Sequence, residues 1–149
     1  MAPEIFLTGR ATAETDVFAF GVLTLVVACG RTPGAQNDQE NKYMNIIDWV
    51  WELYKLEKVT NAIDPSLNGN FNKGQAECML LLGLACCHPN PYMRPSMRTV
   101  LQVLMEGALP PLVPVEKPAF IWPATQPSFG REELASGGIL TTFSDLSGR

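Results

Sequence analysis

Apolar residues fall on nearly every face of the stretch Ala13–Cys29, whose only charges, Glu14 and Asp16, sit at its start. A helix that is apolar all round is buried all round, so this segment is predicted as the central rod of a helical domain. Thr12 stands where a side-chain oxygen can cap a helix by accepting near Thr15, Glu14 favours the positive helix end, and Gly30 is a C-terminal stop. The β-branched residues Val17, Val22, Thr24, Val26 and Val27 leave a strand open, but the run is long for one. Ile46, Ile47, Trp49, Val50, Leu53, Tyr54 and Leu56 make a broad apolar face on a second helix, roughly Met44 to Leu56. Lys58 to Ile63 reads as a helical turn before a break at Asp64-Pro65. A third helix is predicted from about Lys73 to Cys87, again apolar nearly all round, and ended by Pro89, which has no amide hydrogen. Ser96 caps a fourth, to about Met105, and Gly107 stops it.

The remaining segments read as connections. Residues 1–11 form a loop with an apolar patch, Ile5-Phe6-Leu7, closed by Thr8-Gly9. Arg31 to Asn41, with Pro33-Gly34, reads as a solvent-facing loop, and Pro91 to Pro95 as a rigid one. After Gly107 come Pro110, Pro111, Pro114, Pro118, Pro123 and Pro127, half of the 12 prolines, with no helical period. Residues 108–149 are therefore predicted as an extended, partly disordered tail, docked early through Leu112, Phe120 and Trp122. Pro111 and Pro114 have PxxP spacing, a weak signal for a docking ligand that a plain linker explains as well. The fold class is all-α, with about four main helices across residues 12–106.

Composition narrows the function classes. The 149 residues are 46% hydrophobic and 17% charged, with a net charge of −4 and no Lys/Arg cluster. Nucleic acid is not an expected partner, nor is an anionic membrane surface. The 4 cysteines lack paired CxxC spacing and the 1 histidine, His88, has no second imidazole, so neither a zinc site nor any other metal site is expected. Buried, reduced thiols in a cytosolic setting fit better. Met1-Ala2-Pro3-Glu4 carries no basic residue ahead of an apolar stretch, and the longest apolar run, Val22 to Cys29, is too short to span a bilayer. A soluble, cytoplasmic chain is the expectation.

Four local signals stand in one order along the chain: Ala2-Pro3-Glu4; Asp16-Val17-Phe18-Ala19-Phe20-Gly21; Trp49-Val50-Trp51-Glu52-Leu53-Tyr54; and His88-Pro89 leading to Arg94-Pro95-Ser96-Met97. Each alone is weak. The ordered set, with helices between, resembles the C-terminal lobe of protein kinases from the end of the activation segment onward, over residues 1–107. The second-helix motif, Asp64-Pro65-x-Leu67-Asn68-Gly69, the run Cys86 to Pro91, Pro118-Ala119-Phe120 and the closing Leu146-Ser147-Gly148-Arg149 are similar to plant receptor-like kinases of the L-type lectin class. That resemblance implies a parent with an extracellular lectin domain, one membrane span at the plasma membrane, and a cytosolic serine/threonine kinase that uses ATP and magnesium in signalling.

The resemblance also implies roles for single residues, all of them structural. Glu4, carried inward by a short loop, takes Arg94 as its partner; a guanidinium meets a carboxylate with two parallel hydrogen bonds, which Lys cannot do. Asp16 would hold the catalytic loop through its backbone amides; without that loop it either hydrates or caps its own helix. Gly21, lacking a Cβ, lets another backbone come close. No catalytic, cofactor-binding or metal-ligating residue is assigned to this chain.

Phosphoryl transfer needs a glycine-rich loop, a strand lysine with its helix glutamate, a catalytic-loop Asp and Asn, and the DFG aspartate for magnesium. None of these occurs in the 149 residues; Gly9 and Gly34 are isolated turn glycines. The resemblance starts one residue before the Ala-Pro-Glu motif, where relatives commonly carry methionine, so Met1 reads as an internal residue of a longer protein or the start of a truncated product. Two functions follow: a lobe fragment unable to bind ATP or transfer phosphate, or a stand-alone helical interaction module acting as a decoy or scaffold. The central helix is normally covered by the helix and catalytic loop that precede Ala-Pro-Glu. Its apolar face is therefore expected to be partly bare here, open to protein partners, with poor solubility or dimers as the consequence.

Overall fold

The structure, a computed structural model, describes residues 1–31 and 45–124. Five α-helices follow one another: α1 (Ile5–Thr8), α2 (Ala13–Cys29), α3 (Ile46–Lys55), α4 (Lys73–Cys86) and α5 (Met97–Glu106), with short 3-10 turns at Val59–Ala62, Pro65–Leu67 and Pro91–Met93. Among the described residues there is no strand, and the four long helices are those the hydrophobic pattern predicts. The loop beginning at Arg31, the predicted helix start at Met44 and the tail beyond residue 124 lie outside the described residues, Arg31 itself excepted.

Helix α2 is the centre. Val17, Phe18, Gly21, Leu25 and Cys29 are buried on it, with Leu25 fully so. Thr24, buried among them, satisfies its hydroxyl by donating to the Phe20 carbonyl at 2.9 Å. At the start, Thr12 and Thr15 cap reciprocally: the Thr12 N–H donates to Thr15 Oγ1 at 2.8 Å. Gly30 ends α2 in the left-handed region at φ 62, and the Asp64 N–H donates to the Ala28 carbonyl at 3.0 Å, tying the turn after α3 to this end.

Helix α4 lies across α2 at a glycine contact. A Cβ on Gly21 would come within 2.6 Å of Cys86 Cβ and 2.8 Å of the Gly83 carbonyl oxygen, and one on Gly83 would meet Leu25 Cδ2 at 2.7 Å. Two glycines facing each other thus set how close the central helices lie. Around them Leu25, Val50, Trp51, Leu80 and Leu84 form the main core, and Val17, Leu82, Cys86, Val100 and Val103 a second cluster under α5.

Two expectations need correction. Residues 5–8 form a helical turn rather than loop: the Thr8 hydroxyl donates back to the Glu4 carbonyl at 3.0 Å, and Gly9, at φ 64, closes the turn. The tail does dock, but not through Leu112, which is fully exposed; Phe120 lines a cavity with Pro3 and Phe18 while keeping 38% of its surface in solvent, and Trp122 keeps 44%. Val113 is the buried residue, and side chains of α3 hold the neighbouring carbonyls. Backbone hydrogen bonding from α3 therefore adds to apolar burial in fixing the point of attachment.

Candidate functional site

Glu4 caps the start of α1 while its side chain turns inward, and only 4% of the residue is exposed. Arg94 closes the Pro91–Met93 turn and points the opposite way, 8% exposed. Arg94 Nη1 donates to Glu4 Oε1 at 2.5 Å and Nη2 to Oε2 at 2.9 Å, a two-pronged charged contact between residues 90 positions apart. Its Nε donates to the His88 carbonyl at 2.9 Å, Nη1 to the Glu14 carbonyl at 2.9 Å, and Nη2 to the Pro89 carbonyl at 3.5 Å. All five guanidinium N–H groups therefore have acceptors. The guanidinium carbon also lies 4.9 Å from the centre of the Phe18 ring.

This arrangement joins the opening loop, the start of α2, the end of α4 and the turn before α5 at one side chain. Burial pushes the Glu4 carboxyl up, but the Arg94 hydrogen bonds and the adjacent positive charge outweigh it, and the group ends below its ordinary value. Among the described residues no buried side-chain nitrogen or oxygen lacks a partner. Losing one member of such a pair strands the other charge in the interior, at about 3–5 kcal/mol.

The other predicted residues fall around this anchor. Ala2 is buried and Pro3 half-buried beside Glu4. Gly21 lies deeper, at the crossing with α4. Asp16 is not part of the anchor: it is exposed and solvated in the first turn of α2, where its charge suits the helix end. It shares a face with Ala19, Leu23 and Val27, which follow at helical spacing, and that face is bare, Leu23 being 58% and Val27 68% exposed. The anchor's carbonyl acceptors from Glu14, His88 and Pro89, and the Phe18 ring, were not assigned from sequence. The only sequence signal for them is His88-Pro89, where proline restricts the residue before it to extended backbone.

Among the described residues no group of His, Cys, Asp or Glu side chains could hold a metal ion, and no helix is long and apolar enough to cross a membrane. Among the described residues Asp16 belongs to no group of carboxylates that could hold a metal ion.

The family profile described as protein kinase domain matches residues 1–104. The chain belongs to the protein kinase family. It is 51% identical over 153 aligned residues to an Arabidopsis thaliana protein named "Probable L-type lectin-domain containing receptor kinase S.5", covering 100% of this chain and 24% of that one. L-type lectin-domain containing receptor kinase VIII.1 of the same plant is 44% identical over 123 residues, covering 79% of this chain and 17% of its own length. The receptor kinase SIT2 of Oryza sativa subsp. japonica, of the same class, is 40% identical over 155 residues, covering 99% and 23%. The chain groups with the L-type lectin receptor kinases and spans a quarter or less of the length of these relatives. In the kinase fold its helices are those of the C-terminal lobe.

Proposed function

We propose that residues 1–107 are a structural platform of a receptor-type serine/threonine kinase, and that these 149 residues alone neither bind ATP with magnesium nor transfer phosphate. The observation that carries this reading is the Glu4–Arg94 anchor, which fixes the Ala-Pro-Glu loop to the helical scaffold while Asp16 stands solvated on a bare face. Catalysis of phosphoryl transfer is positioning plus charge stabilisation, and the sequence holds none of the groups that do either. In the whole protein these helices would support a catalytic loop and a substrate groove, on the cytosolic side of the plasma membrane. A nucleotide titration with magnesium, followed by a phosphotransfer assay on a general protein substrate, tests this. No binding and no transfer are expected; magnesium-dependent ATP binding overturns it.

The bare α2 stripe favours a second reading, a helical module that binds protein through that face. Under the platform reading the stripe lacks the segment that would cover it, so poor solubility or dimers are expected by light scattering. Transcripts carrying an in-frame DFG upstream of Met1 support the platform reading. Stable, monomeric protein translated from Met1 supports the module.

A further inference from the structure

Helix α3 presents Asp48, Trp51, Tyr54 and Lys55 along one face, at the spacing of successive helical turns. The first three meet the tail in reverse order. Lys117 pairs with Asp48, Trp51 Nε1 donates to the Pro114 carbonyl at 3.0 Å, and the Tyr54 hydroxyl donates to the Val113 carbonyl at 3.1 Å. Lys55 adds an ion pair with Glu116 at 3.4 Å. Val113 is buried between them, whereas Leu112, Val115 and Glu116 are exposed. The tail thus runs antiparallel to α3, held at two backbone carbonyls and by two solvent-facing ion pairs.

Further along, Pro118 and Phe120 line a cavity of 530 Å³ together with Pro3, Phe18, Val22 and Ile47. The same short segment therefore covers Trp51 and lines a half-open cavity beside the anchor loop. Its attachments differ from those of the core: one buried side chain, two side-chain hydrogen bonds and charges open to salt. Segments held by few buried contacts open with less free energy than the core around them.

We propose that residues 113–120 are a strap that latches onto α3 and opens separately from the helical core, uncovering Trp51 and the cavity. Opening is promoted by ionic strength or by a negative charge at position 117.

The test is indole-proton exchange in the full 149-residue chain, followed by nuclear magnetic resonance, with the Trp51 signal assigned by Trp51→Phe. The Trp51 indole should exchange more slowly than that of Trp122. Lys117→Glu exchanges attraction to Asp48 for repulsion and should speed Trp51 exchange about three- to ten-fold, as should about 1 M salt, while Lys117→Arg keeps the slow rate. The backbone amides of Leu25 and Leu80 should be unmoved by Lys117→Glu. A Trp51 indole as fast as Trp122, no response to Lys117→Glu, or equal acceleration of the Leu25 and Leu80 amides would each overturn the proposal, the last by showing that strap and core open as one.

Discussion

Replacing Gly21 by alanine adds one methyl group where α2 crosses α4. Two effects oppose each other. Alanine is the better helix former, by about 1 kcal/mol in a helix interior. Its Cβ, however, would lie 2.6 Å from Cys86 Cβ, 2.8 Å from Cys87 Sγ and 2.8 Å from the Gly83 oxygen. Carbon atoms are comfortable at about 3.5–4.0 Å, so the helices must part by about 1 Å. The Cys86 Cβ and the Gly83 oxygen are fixed to backbone and cannot swing aside. Overpacking of this kind costs about 1–3 kcal/mol, and rigid neighbours put Gly21→Ala at the upper end. The net expectation is a loss of about 1–2 kcal/mol, read from urea unfolding followed by far-ultraviolet circular dichroism. Gly74→Ala is the control, because its Cβ would meet only Asn72 Oδ1 at 3.4 Å. It should stabilise by roughly 0.5 kcal/mol through helix propensity alone. Gly21→Ala as stable as the parent would refute the idea that close helix approach sets this residue.

Acid should unfold the chain in two stages. Burial holds the His88 imidazole below its ordinary 6.5, the nearby Arg94 charge adding to this against the Asn90 hydrogen bond, so its contribution is present above 6.5 and is lost as pH falls through the lowered folded value. Glu4, also lowered, contributes above 4.5 and loses that contribution as pH falls further. His88→Asn should flatten the first stage and leave the second, as read from unfolding midpoints across pH. Burial also pushes the Cys29 and Cys86 thiols up to about 12 and Cys87 higher still, whereas Cys78 is half-buried. A disulfide-exchange reagent at pH 8 should therefore label Cys78 first and the other three only in denaturant; early reaction at Cys87 would contradict the packing around Gly21.

Long helices were legible because their causes are local. Full-circumference apolarity marks α2 and α4, and Gly30, Ser96 and Gly107 mark ends, the Ser96 hydroxyl accepting from the Thr99 N–H at 3.2 Å. Apolarity alone overstates burial, as Leu23 and Val27 show: it says which residues can be covered, not what covers them. The Glu4–Arg94 contact has no local signal at all, and only the order of motifs pointed to it. Arg94's carbonyl acceptors were hidden because every residue has a carbonyl, and only folding decides which ones converge. The tail misled for a related reason. Without a period, nothing in Leu112-Val113-Pro114 says which apolar side chain faces inward, and the choice falls to Trp51 and Tyr54 on another element.

The most direct measurement of the central claim, that one buried pair fastens the Ala-Pro-Glu loop to the scaffold, is a double-mutant cycle on Glu4→Ala and Arg94→Ala by urea unfolding, with exposed Arg98→Ala beside it. Each single change should cost about 3–5 kcal/mol, since each strands a charge. The double variant should cost little more than either single, so the coupling is nearly the size of one single loss, about 3 kcal/mol or more, and Arg98→Ala should stay within about 0.5 kcal/mol of the parent. Additive singles, or losses below about 1 kcal/mol as for a solvated surface pair, would contradict the account.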